Sequence, residues 1–211
     1  KRVAGEINIG CGNCNLCRRG LGKHCRDRSA LGIAKHDGVF AEYVALPIEN
    51  LHLVPETVSD EAATFVEPLA AALQIGEQVH LHPADRMVVL GDGRLGILVA
   101  LALHRQAIDT TLVGRTPEKL AIAANAGVKT LLTSAIAEGQ FSPADLVVEV
   151  TGSPQGFALA RTLVRPGGVL VLKSTFADAL DSFDASALVV DEITLVGSRC
   201  GPFAPAIALL A

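Results

Sequence analysis

From residue 87 onward, short apolar runs alternate with longer stretches in which apolar positions recur at helical spacing. Residues 87–90, 110–113, 129–132, 146–150, 169–172 and 193–196 are β-branched or leucine-rich and read as strands. Between them, 95–106, 117–125, 154–163 and 186–190 read as helices, with Pro117 suited to a first turn. A strand covered on both faces carries a continuous apolar run, so this pattern predicts a doubly wound α/β domain with a parallel sheet. The first 58 residues differ, being rich in Gly and Cys. Short alternating stretches such as 39–44 predict strands joined by loops there. Residues 62–79 form an Ala-rich helical run that Pro68 is expected to end or kink. The division expected is 1–60 and 61–211.

Composition narrows the classes. Half of the 211 residues are hydrophobic, enough for a sizeable core. The longest apolar stretch, 97–103, is closed by His104-Arg105 and falls short of the ~18–20 residues of a membrane span. The net charge of −4 is spread over mixed acids and bases, which gives no basic stripe for nucleic acid and no polybasic membrane patch. The chain opens Lys1-Arg2-Val3-Ala4-Gly5-Glu6, without the apolar segment of a secretory signal, so a cytoplasmic location is expected. It has no starting Met and stops within an apolar helical pattern at 206–211, so both ends are expected to be cut.

Gly91-Asp92-Gly93-Arg94-Leu95-Gly96 follows one predicted strand and opens the next helix. In that context the first glycine permits a tight turn, the second lets backbone approach a pyrophosphate, and the third packs helix on strand. Free N–H groups at the helix start then face the phosphates. This is the signature of a Rossmann dinucleotide site; a plain glycine turn is the alternative. NAD sites carry an acid about 20 residues further on, at the end of the second strand. Here Gly114 stands there, followed by Arg115. The missing carboxylate leaves room for a 2′-phosphate, which Arg115 and Lys119 would neutralise, so NADP is expected to be preferred over NAD. A solvated Arg115 is the competing reading.

Cys11, Cys14, Cys17 and Cys25 have the spacing C-x2-C-x2-C-x7-C. Four thiolates suit one tetrahedral zinc and leave no open position, hence a structural site. An iron–sulfur cluster and a pair of disulfides are the alternatives. The cluster is disfavoured by the seven-residue last gap and by Arg26 where a Pro is usual; the disulfides are disfavoured by the density of the spacing. Cys200 stands apart and reads as an ordinary buried thiol. Glu67, in Phe65-Val66-Glu67-Pro68-Leu69-Ala70, is a lone acid in an apolar run. Pro68 biases it away from helical geometry. Taken alone, its residues suit a helix-end surface acid as well as a metal ligand.

Together these segments resemble the zinc-dependent medium-chain alcohol dehydrogenase superfamily, closest to its sorbitol, threonine and glucose dehydrogenase-like branch. Gly5-Glu6-Ile7-Asn8-Ile9-Gly10-Cys11 and the cysteine lobe resemble its structural-zinc segment, and Asp37-Gly38-Val39-Phe40-Ala41-Glu42-Tyr43 the strand that follows. Phe65 to Ala70 is similar to the segment joining its two domains, and Val89-Leu90 with the glycine motif to its cofactor turn. The resemblance implies a partial GroES-like β domain packed on the Rossmann domain. It also implies that Glu67 lies at a catalytic zinc, directly or through water. Thr151-Gly152 would lie near the ribose; Lys173-Ser174-Thr175 and Ser198-Arg199 would lie near the nicotinamide. The family's other catalytic-zinc ligands, a Cys and a Gly-His-Glu segment, precede its cysteine lobe and have no counterpart here; the six His residues match no such motif. The implied activity is zinc-assisted hydride transfer between an alcohol or polyol and NAD(P), in a homodimer or homotetramer. A dinucleotide-binding protein with structural zinc alone, and a zinc-free quinone or enoyl reductase, are the competing readings.

Overall fold

The computed structural model describes residues 1–139, 141–176 and 183–211. The chain forms two compact units, Lys1–Ala70 with Pro202–Ala211, and Ala71–Gly201.

The first unit begins with β1 (Val3–Gly5), β2 (Asn8–Ile9), α1 (Asn15–Arg18), β3 (Ser29–Ala30) and β4 (Leu51–Leu53). A short helix, α2 (Asp60–Ala63), and the start of a longer one, α3 (Val66–Gln78), follow in sequence. β1 pairs antiparallel with β4, and β2 with β3. Polar side chains compensate for this small sheet area. The amide of buried Asn50 donates to the carbonyls of Glu6 and Asn8 at 3.0 and 2.8 Å. Arg2 donates to the Asp60 carboxylate and to the carbonyls of Pro55 and Val58, each at 2.7 Å.

Two expectations fail in this unit. Residues 39–44 form no strand. Among the described residues their alternating apolar side chains find no core to pack on and no neighbouring strand takes up their backbone groups: Phe40 and Tyr43 are almost fully exposed. Pro68 does not end the helical run, since α3 continues through it. The break falls earlier, at Thr64 and Phe65, where α2 gives way to α3. Pro68 then lies in the first turn of α3, where a backbone N–H has no partner within the helix to lose. Glu67 is therefore helical, not extended.

The second unit is built on one parallel sheet. Its strands are β5 (Arg86–Leu90), β6 (Asp109–Gly114), β7 (Lys129–Leu132), β8 (Ala144–Glu149), β9 (Val164–Leu172) and β10 (Thr194–Gly197). The helices between them are α4 (Arg94–His104), α5 (Pro117–Asn125), α6 (Thr133–Ala137), α7 (Pro154–Leu163) and α8 (Ala185–Val190). After β10, α9 (Phe203–Leu210) belongs to the first unit, where its Phe203 ring packs 4.9 Å from that of His52. The sheet order is β10-β9-β8-β5-β6-β7, every pair parallel. Met87, Val88, Val89 and Leu90 are all buried, so β5 is covered on both faces, as its unbroken apolar run implies. One face carries Val88, Leu90, Val113, Val147 and Leu170 against Phe157, Ala160 and Leu163 of α7. The strand order reverses at β5, and a crevice opens at such a switch point beyond the carboxyl ends of the strands.

Candidate dinucleotide cleft and cysteine metal centre

β5 runs into Gly91, whose φ of +129° only glycine adopts freely. A Cβ there would press on the backbone of Val150, at 3.0 Å from its carbonyl carbon and oxygen. A Cβ at Gly96, inside α4, would strike the Gly91 carbonyl oxygen, so the helix can start this close to the strand only without one. Gly93 differs, because nothing lies within 4 Å of the place its Cβ would take. It is the N-cap of α4 and, being glycine, brings no side-chain cap to the first-turn N–H groups, so the helix start faces open space. The three glycines thus do three different jobs.

The cleft there has a volume of about 610 Å³, within the ~300–1,000 Å³ typical of small-molecule sites. Gly91, Asp92 and Gly93 line it from the first loop, Gly114 and Arg115 from the end of β6, and Lys119 from the first turn of α5. Thr151 lines it from the loop after β8. Asp92 reaches across to the loop after β6: its Oδ2 accepts the backbone N–H of Arg115 at 2.9 Å and of Thr116 at 2.7 Å. Partial burial pushes its carboxyl upward, but the N–H bonds from Thr116 and Arg115 outweigh this and hold it below the ordinary carboxylate range.

Glu149, at the end of β8, is fully buried. Its Oε1 accepts the Thr151 N–H at 2.6 Å and the Thr151 hydroxyl at 2.5 Å; Oε2 has no hydrogen-bond partner among the described residues. Ser153 Oγ lies 3.1 Å from the Thr151 hydroxyl and accepts the Gly156 N–H at 3.0 Å, capping α7. Thr133, Ser153, Gln155, Gly156 and Leu159 also line the cleft, and the sequence reading did not single them out. A signal existed for one: Ser153-Pro154 is a cap followed by a first-turn proline, and such helix starts point at the crevice.

The remaining expected cofactor residues, Arg94, Leu95, Gly96, Gly152, Lys173, Ser174, Thr175, Ser198 and Arg199, are not among the residues lining that cavity. Gly152 abuts the next loop: a Cβ on it would sit 3.5 Å from the Thr175 carbonyl oxygen and 3.7 Å from Ser174 Cβ. Lys173 is buried at the end of β9, and its Nζ donates to Ser198 Oγ at 3.0 Å. Arg199 is exposed.

In the first unit, the ligand sulfurs of Cys11, Cys14, Cys17 and Cys25 all lie within 4.8 Å of one another, with no disulfide. The Cys14–Cys25 and Cys11–Cys17 separations are 3.8 and 4.0 Å. Tetrahedral zinc with Zn–S bonds of ~2.3 Å requires roughly 3.8 Å between sulfurs, so the donor set fits one ion. Several irons would hold the sulfurs further apart. Cys14 caps α1 by accepting the Cys17 N–H at 3.4 Å, and this bond brings its thiol down to about 7. Desolvation pushes Cys17 up to about 11. Gly10 leaves room for the Cys17 sulfur, which a Cβ would meet at 2.8 Å. Glu67 is half-buried in the first turn of α3, outside the group of cysteines.

A family model described as zinc-binding dehydrogenase matches residues 95–211. The chain belongs to the zinc-binding dehydrogenase family. A second model, the alcohol dehydrogenase GroES-like domain, matches residues 1–56 of this family member. Among curated relatives, the L-threonine 3-dehydrogenase of Chelativorans sp. (strain BNC1) is 32% identical over 184 residues, covering 82% of this chain and 52% of the relative. That of Salmonella arizonae is 30% identical over 180 residues, with 81% and 52% covered. The chain therefore spans about half the length of the curated relatives it matches. Among solved structures, a Sinorhizobium meliloti 1021 protein described as a zinc-binding dehydrogenase and bound to NADP superposes with a TM-score of 0.87 at 27% identity. All of this chain and 65% of that one are covered. Escherichia coli L-idonate 5-dehydrogenase superposes with a TM-score of 0.88 at 24% identity, covering 99% of this chain and 64% of that one, and shares the fold. The chain is thus a zinc-binding homologue of NAD(P)-linked oxidoreductases, with a Rossmann-like sheet and a small GroES-like unit.

Proposed function

We propose that this chain holds NAD(P) in the cleft at the end of β5 and folds its cysteine lobe around one structural zinc. The observation that carries the reading is the glycine loop. Gly91 and Gly96 are pressed by protein atoms, whereas Gly93 and the uncapped start of α4 face the open cleft, as a diphosphate requires. Arg115 on the loop after β6 and Lys119 in the first turn of α5, with no acid at position 114, favour NADP over NAD. The NADP-bound relative from Sinorhizobium meliloti lends weight to this choice. Calorimetric titration of the full chain with NADPH and NADH tests it, with NADPH the tighter ligand. The double variant R115A/K119A should weaken NADPH about tenfold or more, the loss of one to two charge-assisted contacts, and NADH less than about threefold. Failure of both dinucleotides to bind would sink the reading.

A second reading is favoured by family membership and by the likeness to L-threonine 3-dehydrogenases. In a longer protein this chain would serve hydride transfer between an alcohol or polyol and NAD(P), as in the sorbitol, threonine and glucose dehydrogenase-like branch, in a homo-oligomer. Glu67 would be among the residues that hold a second zinc there, and that ion would supply Lewis-acid chemistry to the reacting oxygen. The chain's own task is to keep the dinucleotide aligned and water excluded. The four-cysteine lobe weighs against a zinc-free quinone or enoyl reductase. Metal analysis of the longer protein separates the two: one zinc per subunit supports dinucleotide holding alone, and two, with alcohol oxidation, support the dehydrogenase.

A further inference from the structure

We propose that Asp92 is a positioning residue that sets cofactor choice, by gripping the turn from which Arg115 and Lys119 face the 2′ end of the dinucleotide. This rests on the dinucleotide reading above and adds a residue that the glycine motif leaves unspecified. Asp92 occupies a variable position of the motif, and its nearest expected duty would be to cap α4. It does not do so. Gly93 is the N-cap, and the Asp92 carboxylate turns instead to a loop more than twenty residues away. One oxygen, Oδ2, takes the N–H groups of two consecutive residues, Arg115 and Thr116.

Position 114 is shaped around this contact. A Cβ on Gly114 would lie 2.5 Å from Asp92 Cβ, 2.7 Å from its Cγ and 2.8 Å from its Oδ2. The volume where an NAD-selective site carries its acid is filled here by the Asp92 side chain, so a side chain at 114 and the grip of Asp92 exclude each other. The grip also reaches α5. Thr116 is that helix's N-cap, yet its own side chain makes no capping bond, and its carbonyl accepts the N–H of Lys119 at 3.1 Å. Fixing the Thr116 backbone therefore fixes the first turn on which Lys119 rides. The backbone that carries Arg115 and the helix start that carries Lys119 are thus both tied to one anion.

The rival role has the opposite sign. If Asp92 simply added negative charge to the cleft, its removal would tighten NADPH. The test begins without ligand, by amide hydrogen exchange on the full chain. The Arg115 and Thr116 amides should be slow in the wild type, about tenfold or more faster in Asp92→Ala, and intermediate in Asp92→Asn, which keeps a neutral acceptor. In titrations, Asp92→Ala should raise the NADPH dissociation constant about tenfold and that of NADH less than threefold, so that selectivity falls. Unchanged exchange, tighter NADPH, or equal weakening of both dinucleotides overturns the proposal. If the wild type binds neither dinucleotide, the cofactor reading and the selectivity claim fall together, while the exchange rates still report whether Asp92 holds the turn.

Discussion

A single missing Cβ has different consequences at Gly93 and Gly96, though the two are three residues apart. Gly96→Ala places a methyl against the Gly91 carbonyl oxygen, a backbone atom that cannot swing aside. We expect a loss of about 1–3 kcal/mol, seen as a lower melting temperature together with weaker dinucleotide binding. Gly93→Ala meets only open space and has an ordinary φ of −75°, so its melting temperature should stay within a few degrees of wild type while NAD(P)H affinity falls at least tenfold. Equal effects on folding and binding at both positions would remove the distinction. These roles were legible in the sequence because each glycine's place in the motif states its neighbours. Asp92 was not, since its partners are two backbone N–H groups of a distant turn, and no residue pattern names a backbone. Glu149 was hidden for a related reason. It reads as part of an apolar strand, and only the folded loop returns Thr151 to its carboxylate.

Among elements, most strands and helices of the second unit could be read to within about two residues, because a strand buried on both sides must be apolar throughout. Strand β9 starts earlier than its apolar run, at Val164, and α6 (Thr133–Ala137) was not foreseen. Helix α5 (Pro117–Asn125) and strand β7 (Lys129–Leu132) match the expected ranges. Residues 39–44 misled, because alternation records only what a stretch could do with a partner, and the described residues offer none. Glu67 misled through Pro68: its rule applies within a helix, and here the helix begins just before it. At the start of β8, Asp145 ties three strands. Its carboxylate accepts the backbone N–H of Arg86, the first residue of β5, at 2.8 Å, and Nε of Arg165 on β9 at 2.7 Å. The Arg86 N–H first, then the Arg165 side chain, hold it below the ordinary carboxylate range. A carboxyl lowered in the folded state stabilises above its unfolded pKa of ~3.9 and loses that contribution as pH falls through the folded value. Melting temperatures should therefore drop below about pH 4, and Asp145→Asn should flatten that part of the profile while lowering stability at neutral pH. A profile identical to wild type would show that the carboxylate does not matter.

In the molecule as a whole, metal and nucleotide chemistry lie in separate compact units, the cysteines in Lys1–Ala70 and the cleft in Ala71–Gly201. Zinc removal by a strong chelator, or Cys14→Ser, should lower the melting temperature of the first unit while changing NADPH affinity less than about threefold. Full thermal stability after loss of the metal would contradict a structural role. The two sites also differ in how far apart in sequence their partners lie. All four sulfurs come from one fifteen-residue window, Cys11 to Cys25, whereas Met87 on β5 must wait for Leu146 on β8 before the centre of the sheet can close. During synthesis from the amino end, the lobe can capture its ion while the sheet is still on the ribosome. The metal is thus available as an early local anchor, ahead of the non-local pairing of β5 with β8.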